Sequence, residues 1–298
     1  MSSGTIPAES CCGLGVQMSK SEIHVELNRA FASGGGRDLK CDIYTPGDLD
    51  QPAPAVLIIH GGGWRSGSKD WMAGSALHLA GKGYVCIANE YRLNTESTWP
   101  AQIEDVKAAI RWIRAHADSL GVNPDMICLQ GHSAGAHLSL HAAGTANQER
   151  FSGVGGHPGV DESVAATAVF YAPVRFSLGQ EELSGATPLR ALLGHDGGSG
   201  EEARKASPIE YVSAQFPPTL LLHGTADKVV RPSASMRMYE ALSTAGAEVE
   251  LHMLSHLPHG FARRGRYLAV YQDEIDFFLQ RTVLARDRSA RELQHSPR

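Results

Sequence analysis

The arrangement of short, unbroken apolar runs limits the possible folds of this chain more strongly than any motif in it. Three of these runs lie at residues 55–59, 84–88 and 126–129. A strand with one face in water alternates apolar and polar residues, whereas a strand covered on both faces carries a continuous apolar run. The three runs therefore predict parallel strands in a sheet that has helices on both faces.

Two earlier segments have the alternating pattern instead. Apolar and polar side chains take turns along residues 22–27 and 39–44, which is typical of half-buried antiparallel strands. Gly34, Gly35 and Gly36 stand between the two segments and suit a hairpin loop. We therefore expect an antiparallel edge that precedes the parallel part of the sheet.

The clearest helix lies between the second and third apolar runs. Apolar residues recur there at three- and four-residue steps from Ile103 to Ala117, with Pro100 near the first turn and Gly121 past the end. The opposite face is charged and is predicted to be solvated; it carries Glu104, Lys107, Arg111 and Arg114. Similar patterns predict strands at 166–170, 218–222 and 249–253 and helices at 133–144, 233–245 and 268–283.

Strand and helix alternate from residue 20 to residue 284, which predicts a single α/β domain. Inserts at 146–163 and 174–212 interrupt the alternation with Gly, Pro and short helical pieces. Such segments commonly form loops or small caps that cover a substrate. We expect the remaining residues, 1–19 and 285–298, to be flexible tails.

The charge and cysteine content exclude several classes of partner. The formal net charge is −5 and Lys and Arg form no run, so the chain lacks the electrostatic footprint of a protein that binds nucleic acid or anionic lipid. No stretch approaches the length of a membrane span and no signal peptide is recognisable, which favours a cytoplasmic location. The five cysteines lack metal-ligand spacing, and we interpret Cys86 and Cys128 as reduced core residues. A small neutral molecule is the expected partner, without a metal, and no feature of the sequence fixes an oligomeric state.

The pentapeptide Gly-His-Ser-Ala-Gly, from Gly131 to Gly135, follows a predicted buried strand and precedes a predicted helix. A serine at the tip of such a turn is held in a strained conformation with its hydroxyl exposed, and glycine on either side avoids clashes with the strand and helix. The pentapeptide alone is weak evidence, but its position predicts that Ser133 is a nucleophile. The backbone N–H of Ala134 would then contribute to an oxyanion hole.

A second glycine-rich segment, His-Gly-Gly-Gly-Trp at 60–64, follows the first apolar run. Consecutive glycines let a backbone approach a substrate closely and turn its N–H groups inward, as stabilisation of a tetrahedral oxyanion requires. Gly62 and Gly63 are therefore candidates for the oxyanion hole. We interpret His60 as an anchor of the loop.

A carboxylate and an imidazole follow the last two predicted strands. Asp227 and His259 are expected at the same edge of the sheet as Ser133, because the carboxyl ends of parallel strands meet there. An imidazole can accept the proton of a hydroxyl, and a carboxylate fixes the imidazole tautomer that does so. His256, in the same loop, is the alternative base. Three histidines near the serine have no carboxylate at a plausible offset and are interpreted as structural: His132, His137 and His141.

Together these segments resemble the bacterial acetyl esterase/lipase branch of the α/β-hydrolases, often labelled carboxylesterase or feruloyl-esterase-like and related to the hormone-sensitive lipase group. The motifs that carry the resemblance are His-Gly-Gly-Gly-Trp at 60–64, Glu-Tyr-Arg-Leu at 90–93, Trp-Pro-Ala-Gln at 99–102, Gly-His-Ser-Ala-Gly at 131–135, Ser-Pro-Ile at 207–209, His-Gly-Thr-Ala-Asp at 223–227 and His-Gly-Phe at 259–261. The resemblance covers nearly all of residues 22–283. It implies an α/β-hydrolase fold with an eight-stranded, mostly parallel sheet, a triad of Ser133, Asp227 and His259, no cofactor, and activity on short acyl esters.

The sequence departs from the family pattern at two places, and two alternative functions remain compatible with its motifs. Ala136 stands where many relatives carry glycine, and the 174–212 insert is shorter than a full lipase lid, which argues against long-chain triglycerides. The same three side chains can cleave amides, so an amidase, formamidase or peptidase is the alternative enzyme. A non-catalytic ligand-binding homologue is the alternative from another class. All three candidate residues are present, which favours an esterase that works through an acyl-enzyme intermediate.

Overall fold

Eight strands form one mixed sheet in the computed structural model, which describes residues 22–176, 183, 187–194 and 200–287. In chain order the strands are β1 (Ile23–Gly34), β2 (Arg37–Pro46), β3 (Ala53–Ile59), β4 (Val85–Asn89), β5 (Val122–His132), β6 (Ala166–Phe170), β7 (Thr219–Gly224) and β8 (Val249–Leu254). Their spatial order is β1-β2-β4-β3-β5-β6-β7-β8. β2 pairs antiparallel with β1 and with β4, and all other neighbours are parallel. The predicted α/β-hydrolase fold with an eight-stranded, mostly parallel sheet is confirmed.

Helices cover both faces of this sheet. The described residues form α1 (Ala73–Ala80), α2 (Ala101–Ala115), α3 (Ala117–Leu120), α4 (Ala134–Gly144), α5 (Glu149–Ser152), α6 (Thr187–Leu193), α7 (Gly200–Lys205), α8 (Ser233–Ala245) and α9 (Gly265–Leu279). The helices α2, α4 and α8 pack on one face, and α1 and α9 pack on the other. A π-helical turn, Gln280–Leu284, continues α9.

The two resulting cores explain the unbroken apolar runs. In β3, Leu57 and Ile59 point into the core that contains α2 and α4, whereas Val56 and Ile58 point into the core that contains α1 and α9. All four side chains are at most 1% exposed. Burial of each such side chain stabilises the fold by about 1.5–3 kcal/mol, so both faces of the strand hold it in the sheet.

The antiparallel edge has the predicted hairpin. β1 and β2 are joined by a turn in which Gly35 and Gly36 have positive φ angles of 61° and 79°. Both strands are longer than the alternating segments at 22–27 and 39–44 indicate, because pairing continues to the turn. Helix α1 has no counterpart among the predicted elements, since its short sequence contains few large apolar residues.

The inserts add short helices to the main fold. The insert at 146–163 contains α5, and the described residues of the insert at 174–212 contain α6, α7 and a 3-10 turn at Pro208–Tyr211. Residues 285–287, the first of the predicted C-terminal tail, are helical. The rest of that predicted tail, like the one at 1–19, lies outside the described residues.

The prediction that the charged face of α2 is solvated is wrong for Lys107 and Arg111. Both side chains are buried, because the insert at 146–163 folds over this face and brings Glu162 onto them. Lys107 Nζ lies 2.9 Å from Glu162 Oε2, and Arg111 Nη1 binds the other oxygen of the same carboxylate. We call these three residues the buried charge cluster. It fastens the insert to α2.

In the described part of the chain, the cysteines are not arranged as a metal site and the helices do not include a membrane span. Cys86 and Cys128 are free and buried as predicted, and so is Cys41; Cys11 and Cys12 lie outside the described residues. No group of His, Cys, Asp and Glu among the residues that the structure covers is arranged to hold a metal ion. Over the same ranges, no helix has both the length and the apolar character that crossing a bilayer requires.

Candidate active site

The turn between β5 and α4 holds Ser133 in a strained backbone conformation. Its φ and ψ are 55° and −115°, a combination that residues with a Cβ atom rarely adopt. The Ser133 N–H donates to Phe170 O at 3.0 Å, and the Ser133 carbonyl accepts from the His137 N–H at 2.9 Å. These two bonds tie the turn to β6 and to the first turn of α4, so the surrounding structure fixes the strained geometry.

The glycines on either side of this turn are required by close approach. A Cβ atom on Gly131 would lie 2.4 Å from the carbonyl oxygen of Gly135. A Cβ atom on Gly135 would lie 2.2 Å from the carbonyl oxygen of Ile59 in β3. Any side chain at either position would therefore push α4 away from the sheet and move the serine.

The structure brings Ser133, His259 and Asp227 together at the carboxyl edge of the sheet. His259 Nε2 lies 3.0 Å from Ser133 Oγ, and His259 Nδ1 lies 2.7 Å from Asp227 Oδ2. The His259 Nδ1–H donates a hydrogen bond to the carboxylate, which leaves the lone pair on Nε2 facing the hydroxyl. This arrangement can remove a proton from the serine when it attacks an electrophile.

The Asp227 carboxylate is buried and fully hydrogen-bonded. Its Oδ1 accepts from the backbone N–H groups of Val229 at 2.8 Å and Val230 at 3.0 Å. Its Oδ2 lies near His259 and 3.3 Å from His223 Nε2. Burial opposes ionisation, but the hydrogen bonds from His223 and His259 outweigh it and hold the pKa of Asp227 well below its usual range. Asp227 is therefore a carboxylate throughout the physiological pH range.

His223 is a member of this network that sequence reasoning missed. Its ring is fully buried, and its Nδ1 lies 2.7 Å from Ser235 Oγ. When the Ser235 hydroxyl donates to Nδ1, the ring proton lies on Nε2. This N–H then faces Val230 O, 3.1 Å away, and Asp227 Oδ2. The signal available in the sequence is the spacing of His223 and Asp227, four residues apart around the turn after β7.

The glycine loop after β3 forms one wall beside Ser133. Gly62 and Gly63 have positive φ angles of 121° and 62°, so their peptide planes turn in a direction that other residues resist. The Gly62 carbonyl accepts from the N–H groups of Arg65 and Ser66, which fixes the loop. Within the described part of the chain, the N–H groups of Gly62, Gly63 and Ala134 make no backbone hydrogen bond outside their own helix or strand. They are available to an oxyanion.

A cavity of about 280 Å³ connects these groups. Its polar side is formed by the glycine loop, Ser133, Ala134 and His259. Its other walls are mainly apolar and aromatic, and they are formed by Trp64, Tyr171, Pro173, Leu183 and Val229. Among the described residues that line the cavity, Arg263 is the only one with a permanent positive charge. A cavity of this size accommodates a small organic molecule next to the serine.

His256, the alternative base, is not brought to the serine. Its side chain is exposed, and its backbone N–H donates to Thr225 Oγ1 at 2.9 Å. His259 takes the position between the hydroxyl and the carboxylate instead. Of the two histidines in this loop, the geometry therefore favours His259.

The histidines interpreted as structural are buried and neutral. Burial lowers the pKa of His60 to about 4, that of His132 to about 3 and that of His137 to about 4, and it also lowers the pKa of His141. The His60 ring stacks on Tyr91 with a centroid separation of 4.3 Å, which supports its interpretation as a loop anchor.

Comparisons with known proteins give a consistent result. A family model described as BD-FAE matches residues 41–242 of the chain. The chain is similar to the probable carboxylic ester hydrolase LipM of Mycobacterium tuberculosis, with 37% identity over 205 residues, which are 65% of this chain and 46% of LipM. It spans about half the length of the curated relatives that it matches first.

Two solved structures are similar over nearly their whole length. One is a truncated form of a carbohydrate esterase from gut microbiota, with a TM-score of 0.77 and 27% identity over 88% of this chain and 97% of that chain. The other is the esterase Est2 of the planctomycete Thermogutta terrifontis, with a TM-score of 0.72 and 29% identity over 89% of this chain and 93% of that chain. The similarity therefore extends over most of the fold.

Proposed function

The chain belongs to the BD-FAE family, whose model matches residues 41–242, and on this premise we propose that it is a serine carboxylesterase that hydrolyses small acyl esters. The names of the similar proteins, carboxylic ester hydrolase and esterase, support this activity. We assign the activity to a single domain over residues 20–284, with inserts near 146–163 and 174–212. Both inserts are integrated with it, since Glu162 is bound on α2 and Leu183 lines the cavity.

Acylation begins when Ser133 Oγ attacks the ester carbonyl carbon and its proton passes to His259 Nε2. The 3.0 Å separation of these two atoms permits this transfer without a large movement. Asp227 stabilises the imidazolium that forms. The carbonyl oxygen becomes an oxyanion, and the N–H groups of Gly62, Gly63 and Ala134 stabilise it.

Collapse of this intermediate breaks the bond between the carbonyl carbon and the alcohol oxygen. His259 returns its proton to the leaving alcohol, and the acyl group stays on Ser133 as an ester. A water molecule then attacks the acyl carbon while His259 accepts one of its protons. The second collapse releases the carboxylic acid and restores the serine hydroxyl.

The observation that carries this proposal is the continuous hydrogen-bonded chain from Ser133 through His259 to Asp227. The three residues come from loops after three different strands, so local sequence effects do not account for their meeting. A hydroxyl, an imidazole and a buried carboxylate in this order form the arrangement that acyl transfer requires.

Two observations support a preference for substrates with short acyl chains. The cavity beside Ser133 has a volume of about 280 Å³, which is close to the lower limit for small-molecule sites. Solved structures of Est2 are described as bound to propionate and to butyrate. We therefore expect the highest activity with acyl groups of two to four carbons.

A panel of p-nitrophenyl esters from acetyl to decanoyl, with formanilide beside it, tests the proposal. Turnover should be highest at the short end of the panel, and Ser133→Ala should lower it by at least ~10⁴-fold while circular dichroism shows an unchanged fold. His259→Ala should lose most activity, whereas the matched control His256→Ala should keep most of it.

Each part of the proposal has its own contrary result. Normal turnover by purified Ser133→Ala would refute the nucleophile, and a reversal of the two histidine variants would refute the base. Preferential cleavage of formanilide would identify an amidase instead. Absence of turnover with every substrate, together with tight binding of an ester, would identify a non-catalytic binding protein.

A further inference from the structure

The cavity beside Ser133 carries a positive charge, and no acidic residue among the described ones pairs with it. Arg263 ends a 3-10 turn, Phe261–Arg263, just after His259, and its exposed side chain lines the same cavity as Ser133. Neither Asp nor Glu is among the described residues that line the cavity. Within the described ranges, the Arg263 side chain takes part in no salt bridge and no side-chain hydrogen bond. The guanidinium is therefore free to pair with an anion.

An aromatic side chain holds this guanidinium in place without neutralising it. Arg263 Cζ lies 4.1 Å from the centroid of the Trp71 ring. Stacking on an indole restrains an arginine side chain, yet it leaves the N–H groups at the edge of the guanidinium plane unoccupied. Those N–H groups match the two oxygens of a carboxylate. The guanidinium is thus an oriented donor, and none of the residues that the structure describes accepts from it.

The charge of Arg263 acts on the groups around the catalytic histidine. Burial is the largest cause that lowers the pKa of His132, and the charge of Arg263 is the second. Burial raises the pKa of Tyr171, and the charge of Arg263 opposes this rise. The Tyr171 ring packs against His259 with a centroid separation of 4.5 Å. An anion on a substrate in this cavity would experience the same field at short range.

We propose that Arg263 forms a carboxylate subsite, so that the protein prefers esters that carry an ionised carboxylate over neutral esters of the same shape. This inference rests on the proposed esterase function and adds a substrate class to it. The Arg263 N–H groups bind the substrate carboxylate while the scissile carbonyl lies against Ser133. Because the subsite is partly exposed to water, we expect a preference of about tenfold in kcat/KM.

Two matched pairs of esters test the subsite on either side of the scissile bond. 4-Acetoxybenzoate and 4-acetoxybenzamide differ in charge on the alcohol side. The mono-4-nitrophenyl ester of adipic acid and the corresponding adipamic ester differ in charge on the acyl side. The wild-type protein should prefer the carboxylate of at least one pair about tenfold, and 0.5 M salt should reduce that preference.

Variants at two adjacent arginines separate the subsite from general charge effects. In Arg263→Gln the ratio of kcat/KM for the two members of the preferred pair should fall to about one. The control Arg264→Gln should keep the ratio, because Arg264 is also exposed but does not line the cavity. Equal kcat/KM for both members of each pair in the wild-type protein, or an unchanged ratio in Arg263→Gln, would overturn the subsite.

A binding measurement keeps this test separate from that of the esterase function. Calorimetric titration of 4-acetoxybenzoate and its amide into Ser133→Ala should give about tenfold tighter binding of the carboxylate, and the added Arg263→Gln change should remove the difference. Loss of turnover with all four esters would refute the esterase function, and the titration would still decide the subsite. Equal affinity for the carboxylate and the amide would overturn it.

Discussion

Replacement of Glu162 by glutamine should destabilise the protein substantially, although this residue lies outside the candidate active site. The Glu162 side chain is 2% exposed, and its two oxygens bind Lys107 and Arg111, whose side chains are 0% and 2% exposed. Glutamine has nearly the same size, so the change removes the negative charge and leaves little cavity. Two buried cations then remain without an anion.

The size of the effect follows from the contacts of the cluster. Removal of one partner of a buried ion pair costs about 3–5 kcal/mol. Lys107 Nζ also donates to Thr145 O, and Arg111 donates to two backbone carbonyls of the insert, so the N–H groups keep partners. Burial lowers the pKa of Lys107, so it can shed its proton more readily in the variant. We therefore expect a loss of about 3 kcal/mol and, from an unfolding entropy of about 2.1 cal/mol/K per residue, a fall in thermal midpoint of about 5 °C.

Urea unfolding followed by tryptophan fluorescence measures this loss, and scanning calorimetry measures the midpoint. The control is Glu149→Gln, an exposed glutamate in the same insert, which should change the unfolding free energy by less than about 0.5 kcal/mol. The double variant Lys107→Met, Glu162→Gln should recover part of the loss, because it removes one of the stranded cations. If Glu162→Gln unfolded within 0.5 kcal/mol of the wild type, the cluster would be energetically neutral and this reasoning would be wrong.

Three further predictions concern the active site and the core. His223→Phe should lower kcat/KM for p-nitrophenyl acetate about tenfold, because it removes a hydrogen bond to the ionised Asp227. His223→Gln can still donate and should recover part of the lost kcat/KM. Full activity in His223→Phe would contradict a positioning role. The pKa of Asp227 is lowered in the folded state, so the stabilisation by its carboxylate is complete above its unfolded pKa of about 3.9 and is lost as the pH falls below it. The difference in unfolding free energy between wild type and Asp227→Asn should therefore shrink below about pH 4 in urea titrations, and a constant difference would contradict the linkage. Burial raises the pKa of the Cys128 thiol to about 12, so Ellman's reagent should label it only in denaturant. Rapid labelling of Cys128 in a native variant with Cys11→Ser and Cys12→Ser would show that the core is open.

The sheet and the residues around Ser133 were accessible from the sequence because each has a local signal. The run at 55–59 is apolar without interruption since β3 is covered on both faces, and that pattern needs no knowledge of its neighbours. Ser133, Asp227 and His259 each follow a recognisable strand, and parallel strands end at one edge. Their meeting within hydrogen-bond distance agrees with that expectation, while their catalytic role stays a prediction until the variants are measured.

The remaining features depend on contacts between segments that are distant in sequence. Lys107 and Arg111 look like solvated residues on the helix because periodicity identifies a charged face but not the insert that covers it. Glu162 becomes their partner only when the insert has folded. Arg263 and Trp71 illustrate the same limit, since nothing in either segment indicates that an indole meets the guanidinium beside the cavity. Tertiary structure, and not local propensity, decides all of these contacts.

The strained backbone of Ser133, at a φ of 55°, lowers the folding stability at the position of the proposed nucleophile. Holding a residue with a side chain in this region costs about 1–3 kcal/mol, and glycine would remove most of that penalty. A library of substitutions selected for abundance in cells would thus enrich glycine at position 133, whereas the same library selected for growth on an ester would retain serine alone. The disagreement between those two selections would reflect the folding free energy that the protein gives up to keep a serine as its proposed nucleophile.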